Sequence, residues 1–297
     1  MVVLGGGLSA TPLYRWRNVR KPEKIEVRHL FPELYSELIK LLENLSIDKW
    51  YAPTSSSKWT VKDIVAHLVD TDLRRLSFQR DNYVPPNIGK QIGNDKELLE
   101  YINCLNNSWI EVSRRLSPAI LIDLLNYLSL EIPKLLNTLD MDSEALFGVS
   151  WAGETKSKSW FDIAREYTEK WYHQQQIREA IGEKLLIEQK WLHPLVDTFI
   201  RGLPNIYQKS FPNNGNSIIA ICIEDIYDGK WIVKKNDSWE LFVGETVDYS
   251  SKVVMNADTA WRMFSKNISK EEARHKIIFE GDKHLGLAVL ELTTYIK

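Results

Sequence analysis

From Leu30 to Trp50 the apolar residues recur at helical spacing, with Leu34, Leu38, Leu41, Leu42 and Leu45 along one side. Pro53-Thr54-Ser55-Ser56-Ser57 interrupts that pattern. A second helix is predicted over about Val61 to Asn82, with Val61, Ile64, Val65, Leu68 and Leu76 on its apolar stripe. Thr60 is placed to cap it, and Asp63 sits where the helix dipole favours a negative charge. Pro85-Pro86-Asn87 ends this element. A third helix is predicted from Asp95 to Leu116. Ser117 and Pro118 then supply an N-cap and an N1 proline for a fourth, which reaches about Leu139. A polar stretch follows, and a strong helical pattern runs from Trp160 to Ile181, capped by Ser159 and stopped by Gly182. Residues 188–209 also read as helical, with a break or kink at Pro204.

After Pro212 the period changes. Asn213-Asn214-Gly215-Asn216 is a turn, and Ser217 to Glu224 is a β-branched run. Trp231 to Lys235 and Trp239 to Val243 flank Asn236-Asp237-Ser238 as a hairpin. Ser251 to Met255 and Lys276 to Phe279 read as short strands. A helix is predicted over Asp258 to Phe264 with Asp258 as its N-cap, and another closes the chain over Asp282 to Tyr295. The predicted fold is therefore α+β. A flexible tail covers 1–24, a helical bundle 25–187 and a smaller α+β domain 188–297.

The length of 297 residues allows two domains, and 44% apolar with 26% charged residues is ordinary for a chain that buries a core. The formal charge of −2 gives no electrostatic footprint for nucleic acid. No apolar run approaches the length of a membrane span. Met1 to Leu4 is apolar and the basic residues Arg15, Arg17, Arg20 and Lys21 come later, the reverse of a secretion signal. The four Asn-x-Ser patterns are then read as chance, and the protein is expected to be cytoplasmic and reduced. Gly5-Gly6-Gly7 lacks the Gly-Lys-Ser/Thr of a phosphate loop. Two cysteines, Cys104 and Cys222, make neither a disulfide framework nor a zinc ribbon. The 11 tryptophans are the unusual feature. Trp59, Trp151, Trp160 and Trp171 fall on or beside the second and fifth helices.

Those two helices also carry the candidate chemistry. His67 borders the apolar stripe of the second and reads either as a packed core histidine or as a ligand. Glu169 and His173 share one face of the fifth at i, i+4 spacing. They read either as a surface pair or as two ligands of one metal, a design in which bundle helices supply His and carboxylate donors. Arg165 and Arg178 flank them, and Asp70–Arg74 is another i, i+4 pair; structural salt bridges account for these as well as carboxylate binding does. Arg262 reads as structural and Cys104 as a small buried side chain.

The run Trp59-Thr60-Val61-Lys62-Asp63-Ile64-Val65-Ala66-His67-Leu68 resembles the first metal-ligand segment of the DinB-like superfamily. Tyr167-Thr168-Glu169-Lys170-Trp171-Tyr172-His173-Gln174-Gln175-Gln176-Ile177-Arg178 resembles its last. Glu169 in place of the commoner histidine resembles the mycothiol-dependent maleylpyruvate isomerase branch. Asp258-Thr259-Ala260-Trp261-Arg262-Met263-Phe264 with Glu280-Gly281-Asp282 is similar to the sterol-carrier-like domain found beside it. The sequence departs from the branch just before Trp59, where Ser57-Lys58 stands for its Gly or Pro-Gly.

The resemblance implies a four-helix bundle followed by the α+β domain, and a divalent metal held by His67, Glu169 and His173. Zinc is the expected ion, with nickel or another divalent ion fitting the same ligands. It implies a low-molecular-weight thiol, mycothiol or an equivalent, as cofactor, and an electrophilic or unsaturated acid as substrate. The implied activity is that of an isomerase, whose thiolate adds to a conjugated cis double bond and leaves after rotation, or of a thiol S-transferase. The alternative is a non-catalytic protein that binds metal and a small ligand.

Overall fold

The computed structural model describes residues 16–56, 58–83 and 95–294. The triglycine, the Pro85-Pro86-Asn87 stop and the first fifteen residues of the expected tail lie outside them. The helical half comprises α1 (Phe31–Glu43), the short α2 (Ile47–Trp50), α3 (Val61–Arg75), α4 (Asp95–Ser113), α5 (Pro118–Thr138) and α6 (Ser159–Ile181). Helices α1, α3, α5 and α6 pack together as the bundle, and α4 lies against α3. Leu34, Leu38, Ile64, Leu68, Leu121, Leu125, Tyr167 and Trp171 are among the side chains that fill its centre.

Local chemistry sets the helix ends. Thr60 accepts a hydrogen bond from Asp63 N, and the Asp63 carboxylate takes the Thr60 N–H at 3.0 Å, so α3 starts on a complete capping box. Ser117 Oγ accepts from Ile120 N to start α5. Gly182 ends α6 with φ +73°, a left-handed conformation that glycine adopts at no steric cost. Helix α3 ends earlier than the pattern implied and passes into one wider π-type turn over Leu76–Arg80. A Thr60→Ala protein is expected to lose about 1 kcal/mol of stability. Urea unfolding checks it through a lower midpoint with an unchanged slope.

Helices α7 (Gln189–Ile200) and α8 (Leu203–Ser210) lead into the second half; the break falls at Arg201 and Gly202, with Pro204 in the first turn of α8. There a six-stranded sheet has the order β1-β4-β3-β2-β5-β6. Its strands are β1 (Trp16–Arg20), β2 (Ile218–Ile223), β3 (Lys230–Lys235), β4 (Trp239–Thr246), β5 (Ser251–Met255) and β6 (Ile278–Gly281). All neighbours are antiparallel except β2 and β5. Helix α9 (Ala257–Phe264) follows β5, α10 (Lys270–Lys276) precedes β6, and α11 (Lys283–Leu287) with a 3-10 turn over Ala288–Glu291 closes the chain.

Four expectations need correction. Ser159, expected to cap α6, is that helix's first residue; Lys158 holds the cap position and no side chain caps it. Trp16–Arg20, placed in a flexible tail, is the edge strand β1; Trp16 pairs with Thr246 and Arg20 with Val243. The cap of α9 is Asn256, whose Oδ1 accepts from Thr259 N at 2.8 Å, while Asp258 lies inside the first turn and bonds Arg262. The closing helix is one short α-helical piece and one 3-10 turn rather than a continuous element.

The two halves meet through α6 and α9. The Trp261 ring stands edge-on to Trp171 at 5.3 Å, and Arg262 reaches Glu179 at 2.6 Å. Trp231 Nε1 donates to Asp197 at 3.0 Å. Helix α6 is thus covered on nearly every face, which is why polar side chains along it have to find partners inside the protein.

Candidate metal centre

Helices α3 and α6 pack side by side and bring His67 next to His173, with ring centroids 4.8 Å apart. One turn earlier on α6, Glu169 Oε2 lies 3.5 Å from His173 Nε2. Two donors of one tetrahedral zinc, each about 2.1 Å from the ion, stand about 3.4 Å apart. His67 is buried, and its Nδ1 has no hydrogen-bond partner. Burial, reinforced by His173 and by the cations of Arg74 and Lys170, pushes its pKa well below the ordinary histidine value. A neutral imidazole is the form that ligates a metal. Two imidazoles and a carboxylate therefore suit a divalent cation in their chemistry. As they stand, no group of three His, Cys, Asp or Glu among the described residues is arranged to hold one.

The surroundings are aromatic. The Trp59 ring lies 5.0 Å from the His67 ring and 6.5 Å from that of His173. Tyr172 flanks His173 at 5.6 Å and packs on Trp261 of α9, so the second half of the chain contributes to the wall. Burial and the nearby Glu169 carboxylate push the Tyr172 phenol up to about 12. On α3, Trp109 Nε1 from α4 donates to the Ala66 carbonyl at 2.8 Å, one residue before His67.

A buried set of charges lies along the same helix pair. Arg75 meets Asp162 at 3.1 Å and Glu166 at 3.2 Å, and Lys170 meets Asp72 at 2.5 Å and Glu166 at 3.5 Å. Arg165 closes on Asp162 at 2.7 Å, and the Tyr35 hydroxyl donates to Asp72 at 2.6 Å. Three carboxylates thus face three cations. Despite its burial, Glu166 is held far below the usual carboxylate range by Arg75, Lys170 and Arg165. For Asp72 burial prevails over Lys170, and its pKa rises. This network was not visible in the sequence: Asp162, Glu166 and Lys170 at successive i, i+4 steps look like a solvated face.

The arginines weighed as substrate ligands are all in structural use. Arg178 bonds the Lys184 carbonyl at 2.9 Å and Glu37 at 3.2 Å. Arg262 is spent on Glu179 and Asp258. Arg74 pairs with Asp70 at 2.9 Å and bonds Asn106. Burial raises the Asp70 carboxyl to about 6. Cys104 is exposed, not buried, because it lies on the outer side of α4; Cys222 is half-buried on β2. Neither thiol lies on α3 or α6.

A family model described as the mycothiol maleylpyruvate isomerase N-terminal domain matches residues 31–178. The helical half of this chain is similar to that domain. The match spans α1 to the last turn of α6 and so includes both helices of the candidate centre. Two crystal structures of mycothiol-dependent maleylpyruvate isomerase, one of them a point mutant, are similar to most of the chain. The mutant gives a TM-score of 0.49 at 11% identity over 86% of this chain and 91% of that one. The other gives 0.46 at 12% identity, over 81% and 86%. No curated protein matches. Among the described residues, no helix is long and apolar enough to cross a membrane.

Proposed function

We propose that this chain is a metal-dependent enzyme that works with a low-molecular-weight thiol on an unsaturated or electrophilic acid, as an isomerase or a thiol S-transferase. The observation that carries the reading is the convergence of Glu169 and His173 beside a buried, neutral His67 within the segment matched by the family model. His67, Glu169 and His173 would hold the cation, with zinc the expected occupant and nickel meeting the same donors. When bound, such a cation supplies Lewis acidity that lowers the pKa of a coordinating thiol.

The remaining work falls to the chain. Glu169 contributes a negative charge that lowers the net charge of the centre relative to three imidazoles. Trp59 lies beside both histidine rings and keeps water from one side of them. Trp171, Trp261 and Tyr172 lock the α6 segment that carries His173, so the donors keep their positions without being ordered at each turnover. Cys104 and Cys222 lie off the ligand helices, which is why the thiol is a borrowed one.

Metal analysis of the purified protein, followed by a screen of small thiols against a cis-unsaturated dicarboxylic acid, tests the reading. About one equivalent of divalent metal and thiol-dependent turnover are expected. Full activity in protein stripped of metal would overturn it. Bound metal with no turnover for any thiol would favour a non-catalytic binding protein.

A further inference from the structure

Gln174, Gln175 and Gln176 are consecutive on α6, so their side chains leave the helix about 100° apart. All three are buried, and each needs partners. Gln174 donates to the Leu34 carbonyl of α1 at 2.9 Å. Gln175 accepts from Leu186 N at 2.9 Å. Both serve packing. Gln176 alone turns to the candidate centre, where its Oε1 lies 2.8 Å from His173 Nδ1. Its amide nitrogen donates to Ser55 Oγ and to the Tyr172 hydroxyl, each at 3.2 Å.

A neutral imidazole has one N–H and one lone pair, and the partner of one nitrogen decides the state of the other. We propose that Gln176 is a positioning residue that holds His173 as the Nδ1–H tautomer. The Nε2 lone pair is then left facing Glu169, 3.5 Å away, for a cation. This rests on the reading above, in which those two residues and His67 take a divalent cation. The reversed amide would set its NH2 group against Nδ1 and force the proton onto Nε2, where it would block ligation. Two contacts oppose that reversal. The Tyr172 hydroxyl oxygen accepts from the Gln176 amide nitrogen at 3.2 Å, a bond that the reversed amide would lose. Ser55 adds a second acceptor from the loop that leads to Trp59, so the same amide ties the loop beside both rings to α6.

Outer partners of metal-bound histidines are worth about 10- to 100-fold in metal affinity. Gln176→Leu removes the acceptor and is expected to weaken zinc binding by about that factor in chelator competition. Gln176→Glu keeps an acceptor of the same length and is expected to bind zinc as tightly as wild type or more so. A merely structural role would not produce the second readout, the nitrogen-15 NMR signature of His173 in metal-free protein. It is expected as Nδ1–H in wild type and in Gln176→Glu, and as Nε2–H in Gln176→Leu. An Nε2–H tautomer in wild type, or undiminished zinc affinity in a folded Gln176→Leu protein, overturns the assignment. A wild-type protein that takes up no zinc overturns the metal reading instead, and the tautomer in that same sample still decides the role of Gln176.

Discussion

His173→Ala is expected to leave the protein folded, to abolish metal retention on purification and to remove thiol-dependent turnover. In the proposed centre His173 would be the middle donor: its Nε2 faces Glu169 and its ring lies against His67. Its loss leaves one imidazole and one carboxylate without the donor between them. The fall in zinc affinity should exceed the roughly 100-fold upper range for losing only an outer hydrogen-bond partner. The fold should survive, because α6 is anchored elsewhere. Tyr167 donates to the Trp191 carbonyl and Trp171 to that of Leu186, both at 2.9 Å. Metal content, chelator competition and far-UV circular dichroism on one preparation check all three parts. A folded His173→Ala protein that keeps a full equivalent of metal would remove His173 from the centre.

Elements whose ends are set by neighbouring residues were legible in the sequence. The Thr60 box, the Ser117-Pro118 start of α5 and the Gly182 stop of α6 act over a few positions, and all three stand where the pattern put them. The Asn236-Asp237-Ser238 hairpin is local in the same sense. Strand β1 was hidden because its partner β4 is far along the chain, and nothing in Trp16–Arg20 itself announces that pairing. Helix α10 carried a local signal that the reading passed over: Ser269 followed by Glu272, with Ser269 Oγ accepting from Glu272 N at 3.0 Å.

The candidate centre divides along the same line. Glu169 and His173 share a face of one helix, so their proximity follows from spacing alone. That His67 meets them depends on α3 packing against α6, and the sequence offered only a resemblance for it. The role of Gln176 was invisible, since three successive glutamines look alike until the helix is surrounded. Cys104 was misread because an apolar-looking position on α4 turns out to face solvent.

The largest stability effect is expected from Arg75→Met. Arg75 is 3% exposed and holds Asp162 and Glu166, which fix α3 to α6. Methionine keeps much of the volume but leaves two buried carboxylates short of charge. Arg165 remains for Asp162 and Lys170 for Glu166, so neither is wholly abandoned. Breaking a buried pair by removing one partner costs about 3–5 kcal/mol. For a chain of this size that lowers the melting temperature by roughly 10 °C. The sign of the pH dependence follows from the same groups. Asp162 and Glu166 are both held below their ordinary pKa by the surrounding cations. Their contribution is therefore complete above the unfolded carboxylate pKa of about 4 and is lost as the pH falls toward their folded values. Asp72, whose pKa is raised, works against them and softens that loss. The deficit of Arg75→Met relative to wild type should be widest near pH 7 and should shrink as the pH falls below about 4, where both carboxylates begin to take up protons without Arg75. Urea unfolding of both proteins at pH 7, 5 and 3.5 measures it. A deficit below about 1 kcal/mol, the range of an exposed pair, or one that does not change with pH, would mean that these charges are solvated rather than buried between the helices.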